Sequence, residues 1–376
     1  MLTIFDGPSG LNRREFLTVG SLALGGLSLS SLFSARAAAE EATSLITGKA
    51  VIFLFQQGGP SQFETFDPKV DAPEGIRTVT GTVPTTLPGI RFGDTMAQLA
   101  RLAHKCTVVR SFQTNNGGHN IRPLVGPETL DANLGSYYSR VAGPTHPDTG
   151  MPSNAVLFPH AVCEDVARGR ARGDLTATGP LGALHAAFIP GAGGQLQKDM
   201  RLNVSPEQFE DRRKLLGALD GLHRHLDNSR TLEDLDEIQQ QAYRVLLSGG
   251  VANALDLSRE DPKTIARYDT SGYAQSHNWA KVNRGKKGYY TGHARSLGKL
   301  LLLARRLCEA GCGFVTVHAG YEGVWDMHAD GNNLDMKDGM EAVGRSFDHA
   351  VAAFIEDLEA RGLRDKILLV ATGEMG

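Results

Sequence analysis

The chain has 376 residues, of which 41% are apolar and 22% charged, with a formal net charge of -3. These fractions belong to a globular protein and exclude a disordered or fibrous chain; without a basic excess, nothing in the charge asks for a nucleic-acid partner. Four cysteines are too few for a disulfide scaffold, and 44 glycines point to many tight loops.

The first element is not part of the fold. Asn12-Arg13-Arg14-Glu15-Phe16-Leu17 has the form of a twin-arginine export motif, followed by an uncharged run from Val19 to Phe33. That run is too short for the roughly 20 residues that span a bilayer. Small residues at Ala35-Arg36-Ala37 and Ala37-Ala38-Ala39 offer cleavage positions. Residues 1–39 are therefore expected to be a signal read by the twin-arginine export machinery, and the mature chain to be periplasmic or secreted. No later stretch reaches spanning length, so no stable membrane span is expected.

Ala50-Val-Ile-Phe-Leu-Phe55 is a continuous apolar run ended by Gln56-Gln57-Gly58-Gly59-Pro60, the pattern of a strand buried on both faces. Residues 94–103 carry apolar side chains at helical spacing. Cys106-Thr-Val-Val-Arg-Ser111 reads as a second strand and Asn154–Phe158 as a third. From 205 to 257 the chain is charged and helical in pattern, with alternating signs that read as a solvated face. An apolar helix covers Leu297–Leu307, a strand follows at Phe314–Val317, an amphipathic helix runs over about 335–360 with Gly362 closing it, and Lys366–Ala371 is the last strand. This alternation predicts an α/β fold with a mostly parallel central sheet flanked by helices, interrupted by a helical insertion at about 160–290. An oxidising compartment permits disulfides. With neither Cys-x-x-Cys nor zinc-type spacing, however, the cysteines read as small buried thiols.

Ligands of open parallel sheets sit beyond the carboxyl ends of the strands, and polar residues gather there. Gln56, Gln57, Gly58 and Gly59 follow the first strand. Gln113 to Asn120, with His119 after two glycines, follows the second. His318 to His328 follows Phe314–Val317, and Thr372-Gly373-Glu374 follows the last strand. In an extended segment Asp326 and His328 point to one side, so a carboxylate and an imidazole could address one cation or one water. His119 follows a loop whose backbone N–H groups could meet an anion. Ser111 and Thr114 are candidate nucleophiles without an evident adjacent base, and such hydroxyls commonly bond to local backbone. No P-loop, G-x-S-x-G elbow or H-E-x-x-H occurs. His223 and His225 lie in the charged stretch and read as surface residues.

Together these segments resemble a large family of exported, planctomycete-type proteins classed as a domain of unknown function and distantly related to sulfatases and alkaline phosphatases. The resemblance rests on Arg13-Arg14, Val51–Ser61, Phe66-Asp67-Pro68-Lys69, Val109-Arg110-Ser111 leading to His119, Trp325-Asp326-Met327-His328, and Thr372–Gly376. It implies an alkaline-phosphatase-like sheet over residues 40–376 with a metal centre for phosphate or sulfate esters. His119, Asp326, His328 and Glu374 are the candidate ligands, and Ser111, Thr114 and His119 the candidate catalytic residues. Imidazole ligands favour Zn²⁺, an all-oxygen shell Ca²⁺ or Mg²⁺. The chain departs from sulfatases where Gln56 and Gln57 replace an Asp pair, where Glu374-Met375 replaces Asp-His, and in lacking Cys-x-Pro-Ser-Arg. The expected function is a metal-dependent hydrolase of small-molecule or glycan esters. The alternative is a noncatalytic periplasmic binding protein on the same scaffold. Similar chains continue with an Arg-Thr-Pro stretch and a Gly-Arg-Asp-His-Trp motif, so this chain is expected to be C-terminally incomplete.

Overall fold

A computed structural model of the chain describes residues 47–115, 117–122, 124–166, 171–191, 204–205, 207–209, 211–212, 214–215, 242–243, 249–275, 284–318, 324–328 and 333–375. Residues 1–39, expected to be a signal, His223, His225 and most of the charged stretch 205–257 lie outside the described residues.

The described residues include six strands: β1 (Ala50–Phe55), β2 (Thr82–Pro84), β3 (Arg91–Gly93), β4 (Asn154–Leu157), β5 (Phe314–His318) and β6 (Ile367–Thr372). Four of them form a parallel sheet in the order β4-β5-β1-β6, and β2 and β3 make a separate antiparallel pair. The α/β reading from the apolar runs holds. Phe55 lies opposite both His318 and Thr372, a register that makes β1, β5 and β6 end level.

Alternation along β1 divides the core. Ile52 and Leu54 join Val315 and Val317 on one face, against the long helices α3 (Arg284–Glu309) and α4 (Arg345–Ala360). Phe53, Phe55, Val156 and Phe314 lie on the other, with Ile121, Leu124, Leu175 and helix α2 (Leu134–Ala142). Helices thus flank both faces. Leu300 to Ala304 of α3 are all buried, so that stretch has no solvent face and is an interior helix rather than an amphipathic one. At Gly298 an added Cβ would meet the Tyr268 carbonyl oxygen at 1.7 Å; only glycine permits that approach. In α4, Phe347, Ala350, Val351, Phe354 and Leu358 form the buried stripe, and Gly362 with φ +67° ends it. The short helix α1 (Ala97–Arg101) is held from outside: Asp348 of α4 accepts the Gln98 and Leu99 N–H groups at 2.9 and 2.7 Å.

One expectation needs correction. Residues 106–111 form no strand. They run extended outside the sheet, with Val109 67% exposed and Arg110 bonded to Asp67 at 3.0 Å. Within 160–290 the described residues hold 3-10 turns, the short helices Gly250–Leu255 and Pro262–Arg267, further helical residues at 207–209, 211–212, 214–215 and 242–243, and the start of α3. Phe188 pairs with β4 through Val156 N–H to Phe188 O and Phe188 N–H to Asn154 O, both 2.9 Å. All four cysteines are free, Cys163 and Cys312 buried, Cys106 and Cys308 half-buried. Among the described residues no helix is long and apolar enough to cross a membrane.

Candidate functional site

The level ends of β1, β5 and β6 bring four side chains from three distant segments into one chain of contacts. Glu374, two residues beyond β6, is fully buried. Its Oε1 accepts the Gly58 N–H at 2.8 Å and faces His119 Nδ1 at 2.8 Å. On the far side of the ring, His119 Nε2 lies 3.2 Å from Asp326 Oδ2, and Asp326 Oδ1 lies 2.5 Å from His328 Nε2. Side-chain exposure rises along the chain from 0% at Glu374 through 17% and 20% to 56% at His328. The arrangement therefore leads from a sealed carboxylate to a solvent-facing imidazole.

Local structure explains each placement. Trp325 is buried edge-on against Phe347 (5.8 Å) and His293 (6.0 Å), which anchors the neighbouring Asp326. Gly58, with φ +125°, touches that segment directly: a Cβ there would come within 2.7 Å of Asp326 N and 2.8 Å of Trp325 N. A side chain at this position would push the two loops apart.

The structure thus brings together His119, Asp326, His328 and Glu374, the four proposed ligands. His318 does not join them. It is the last residue of β5 and faces inward like Phe314, between the rings of Phe55 (6.2 Å) and Phe158 (5.6 Å). Burial, with a smaller contribution from His293, lowers its pKa to about 3, so the ring is neutral. Ser111 is exposed and Thr114 half-buried on the loop leading to His119; among the described residues no hydrogen bond joins Ser111 to the cluster. The residue that sequence reasoning passed over is Gln57. It is fully buried, and its amide bonds to His318 Nε2 (3.1 Å), the His119 carbonyl (3.3 Å) and the Arg172 N–H (3.2 Å). Its position two residues beyond β1 was the available signal.

Among the described residues, no three His, Cys, Asp or Glu side chains are arranged to hold one ion. The donor chemistry nevertheless suits a divalent cation: two carboxylates, two imidazoles, and a buried Glu374 Oε2 with no hydrogen-bond partner. An ion would enter by replacing imidazole–carboxylate contacts. A shallow recess of about 370 Å³ lined by Thr149, Asn253, Arg306 and Glu309 lies at the other end of the sheet, where α3 leads into β5; it contains none of these groups.

Fold and cluster define an α/β protein with an acidic, histidine-containing site beyond the carboxyl ends of a parallel sheet. A family model described as "Protein of unknown function (DUF1501)" matches residues 48–376, and the chain belongs to that family. No curated protein and no solved structure matches it.

Proposed function

We propose that this chain is an exported, metal-dependent hydrolase of phosphate or sulfate esters, distantly related to sulfatases and alkaline phosphatases. One observation carries the reading: Glu374 Oε2, a fully buried carboxylate oxygen without a partner, heads a chain of three further potential ligands. An uncompensated buried carboxylate is costly, and a divalent cation at this point supplies the missing charge. When bound, such an ion polarises an ester oxygen and lowers the pKa of water. The side chains do the rest. His119, Asp326, His328 and Glu374, through its unpartnered Oε2, would hold the ion, and in the metal-free chain Glu374 orients His119 through Nδ1. Ser111 and Thr114, on the His119 loop, are the candidate hydroxyl nucleophiles.

A noncatalytic binding protein on the same scaffold is the second reading. It is favoured by Gln57, an amide engaged with His318, His119 and Arg172 where a sulfatase-like site has carboxylates.

The chain loaded in turn with Zn²⁺, Ca²⁺ and Mg²⁺ is expected to turn over aryl phosphate or aryl sulfate esters, and Asp326→Ala to abolish that turnover. Saturable ester binding without turnover would replace the first reading by the second. Export is tested separately. With Arg13→Lys and Arg14→Lys together, unprocessed precursor should remain in the cytoplasm on cell fractionation; normal arrival in the periplasm would refute the twin-arginine reading.

A further inference from the structure

Two consecutive residues after β1 hold both sides of the central histidine. The Gly58 N–H grips Glu374, the carboxylate on His119 Nδ1. Gln57 grips the His119 backbone, donating from Nε2 to its carbonyl oxygen. The orientation of the Gln57 amide is fixed by its partners. Arg172 N–H is a donor only, so the atom it meets is the oxygen Oε1. His318 Nε2 shares that oxygen and must therefore carry the proton. One sealed side chain thus ties the end of β5, the His119 loop and the segment at Arg172 to the end of β1.

We infer that Gln57 is a positioning residue, setting the distance of the His119 imidazole from Glu374 and Asp326. This rests on the reading of the cluster as a metal site, and it deepens that reading by naming what orders the ligand loop. Groups that orient a ligand from behind typically change metal affinity about 10- to 100-fold when removed. The neutral amide does this without adding charge to a site that already holds two carboxylates.

Two variants separate positioning from simple space-filling. Gln57→Met keeps the volume and removes all three hydrogen bonds. Gln57→Glu keeps an acceptor for His318 and Arg172 but turns a lone pair toward the His119 carbonyl. Each is compared with the full chain by circular dichroism, by the ring nitrogen and proton NMR signals of His119 in metal-free protein, and by Zn²⁺ titration calorimetry. Both variants should keep the wild-type circular dichroism, shift or broaden the His119 ring signals, and bind Zn²⁺ at least about tenfold more weakly. Unchanged ring signals in both overturn the inference. So does a change in the glutamate variant alone, which would be an effect of charge, and so does unfolding of both, which would make the role structural. If the wild-type chain binds no Zn²⁺, the metal reading falls, and the ring signals alone decide the role of Gln57.

Discussion

A carboxylate with no exposed surface needs a partner for each oxygen. In Glu374, Oε1 has the Gly58 N–H and His119, whereas Oε2 has none. An unsatisfied buried polar atom costs about 1–3 kcal/mol. Glu374→Gln keeps the shape and removes the charge. The metal-free variant should therefore melt no lower than the wild type, while Zn²⁺ should no longer raise its melting temperature; differential scanning calorimetry with and without metal reads both. Lower stability together with retained Zn²⁺ stabilisation would show that Glu374 serves packing rather than ligation. The four cluster residues were legible because titratable side chains gather in the segments that follow the runs ending at Ser111, Val317 and Ala371, even though the first of these runs forms no strand. Gln57 was not, because a neutral amide leaves no charge or periodicity to read. His318 follows the run Phe314–Val317 in the sequence but does not belong to the loop beyond it. Instead it extends the strand by one residue, and alternation turns it into the aromatic interior.

At the level of elements, the four parallel strands, α4 and the C-terminal half of α3 were readable from hydrophobic pattern, since they are largely apolar runs or stripes; the polar first half of α3 was not. Residues 106–111, two valines among polar residues, also read as a strand yet lie outside the sheet. A β-branched run signals willingness to pair, not the presence of an edge to pair with. Also hidden was the buried ionic network that clamps α3 to α4. Arg305, 1% exposed, meets Glu260 at 2.7 Å and Asp357 at 3.1 Å; Arg306 meets Glu260 at 3.0 Å; Arg361 reaches both acids; and Tyr268 bonds to Asp357 at 2.9 Å. Burial by itself would raise the pKa of Glu260, but Arg305, Arg306 and Arg361 overcome it and hold the pKa at about 2. A carboxylate lowered in the folded state stabilises above its unfolded pKa and loses that contribution as pH falls through the folded value. Stability should therefore decline between about pH 4.5 and 2 as Glu260 protonates. Glu260→Gln should flatten that part of the profile and lower neutral-pH stability by about 3–5 kcal/mol, because three guanidinium groups lose their shared anion. Urea unfolding across this pH range is the measurement; a variant with the wild-type acid slope would remove Glu260 as the group responsible.

For the molecule as a whole, the sheet is asymmetric. β1 and β5 are enclosed, whereas β6 pairs only with β1 among the described residues and leaves Leu368 59% exposed. Val109 and Phe112 add exposed apolar surface, at 67% and 45%. An unpaired strand edge with apolar side chains favours association. Leu368→Lys should lower the concentration dependence of sedimentation while leaving the melting temperature within a few degrees, since the side chain makes little contact; equal self-association in both proteins would place the sticky surface elsewhere. The same sheet order also sets a timetable for biogenesis. Gly58 and its partner Glu374 are 316 residues apart, and His119 and Glu374 are 255 apart. At a synthesis rate of about 5–20 residues per second, the first strand waits roughly 15 seconds to a minute for the last one. Until β5 emerges a ribosome-bound chain holds β1 without either of its final neighbours, and until Glu374 emerges the cluster cannot exist in any nascent intermediate. Any ligand that needs the complete cluster can therefore be taken only after Glu374 has been synthesised.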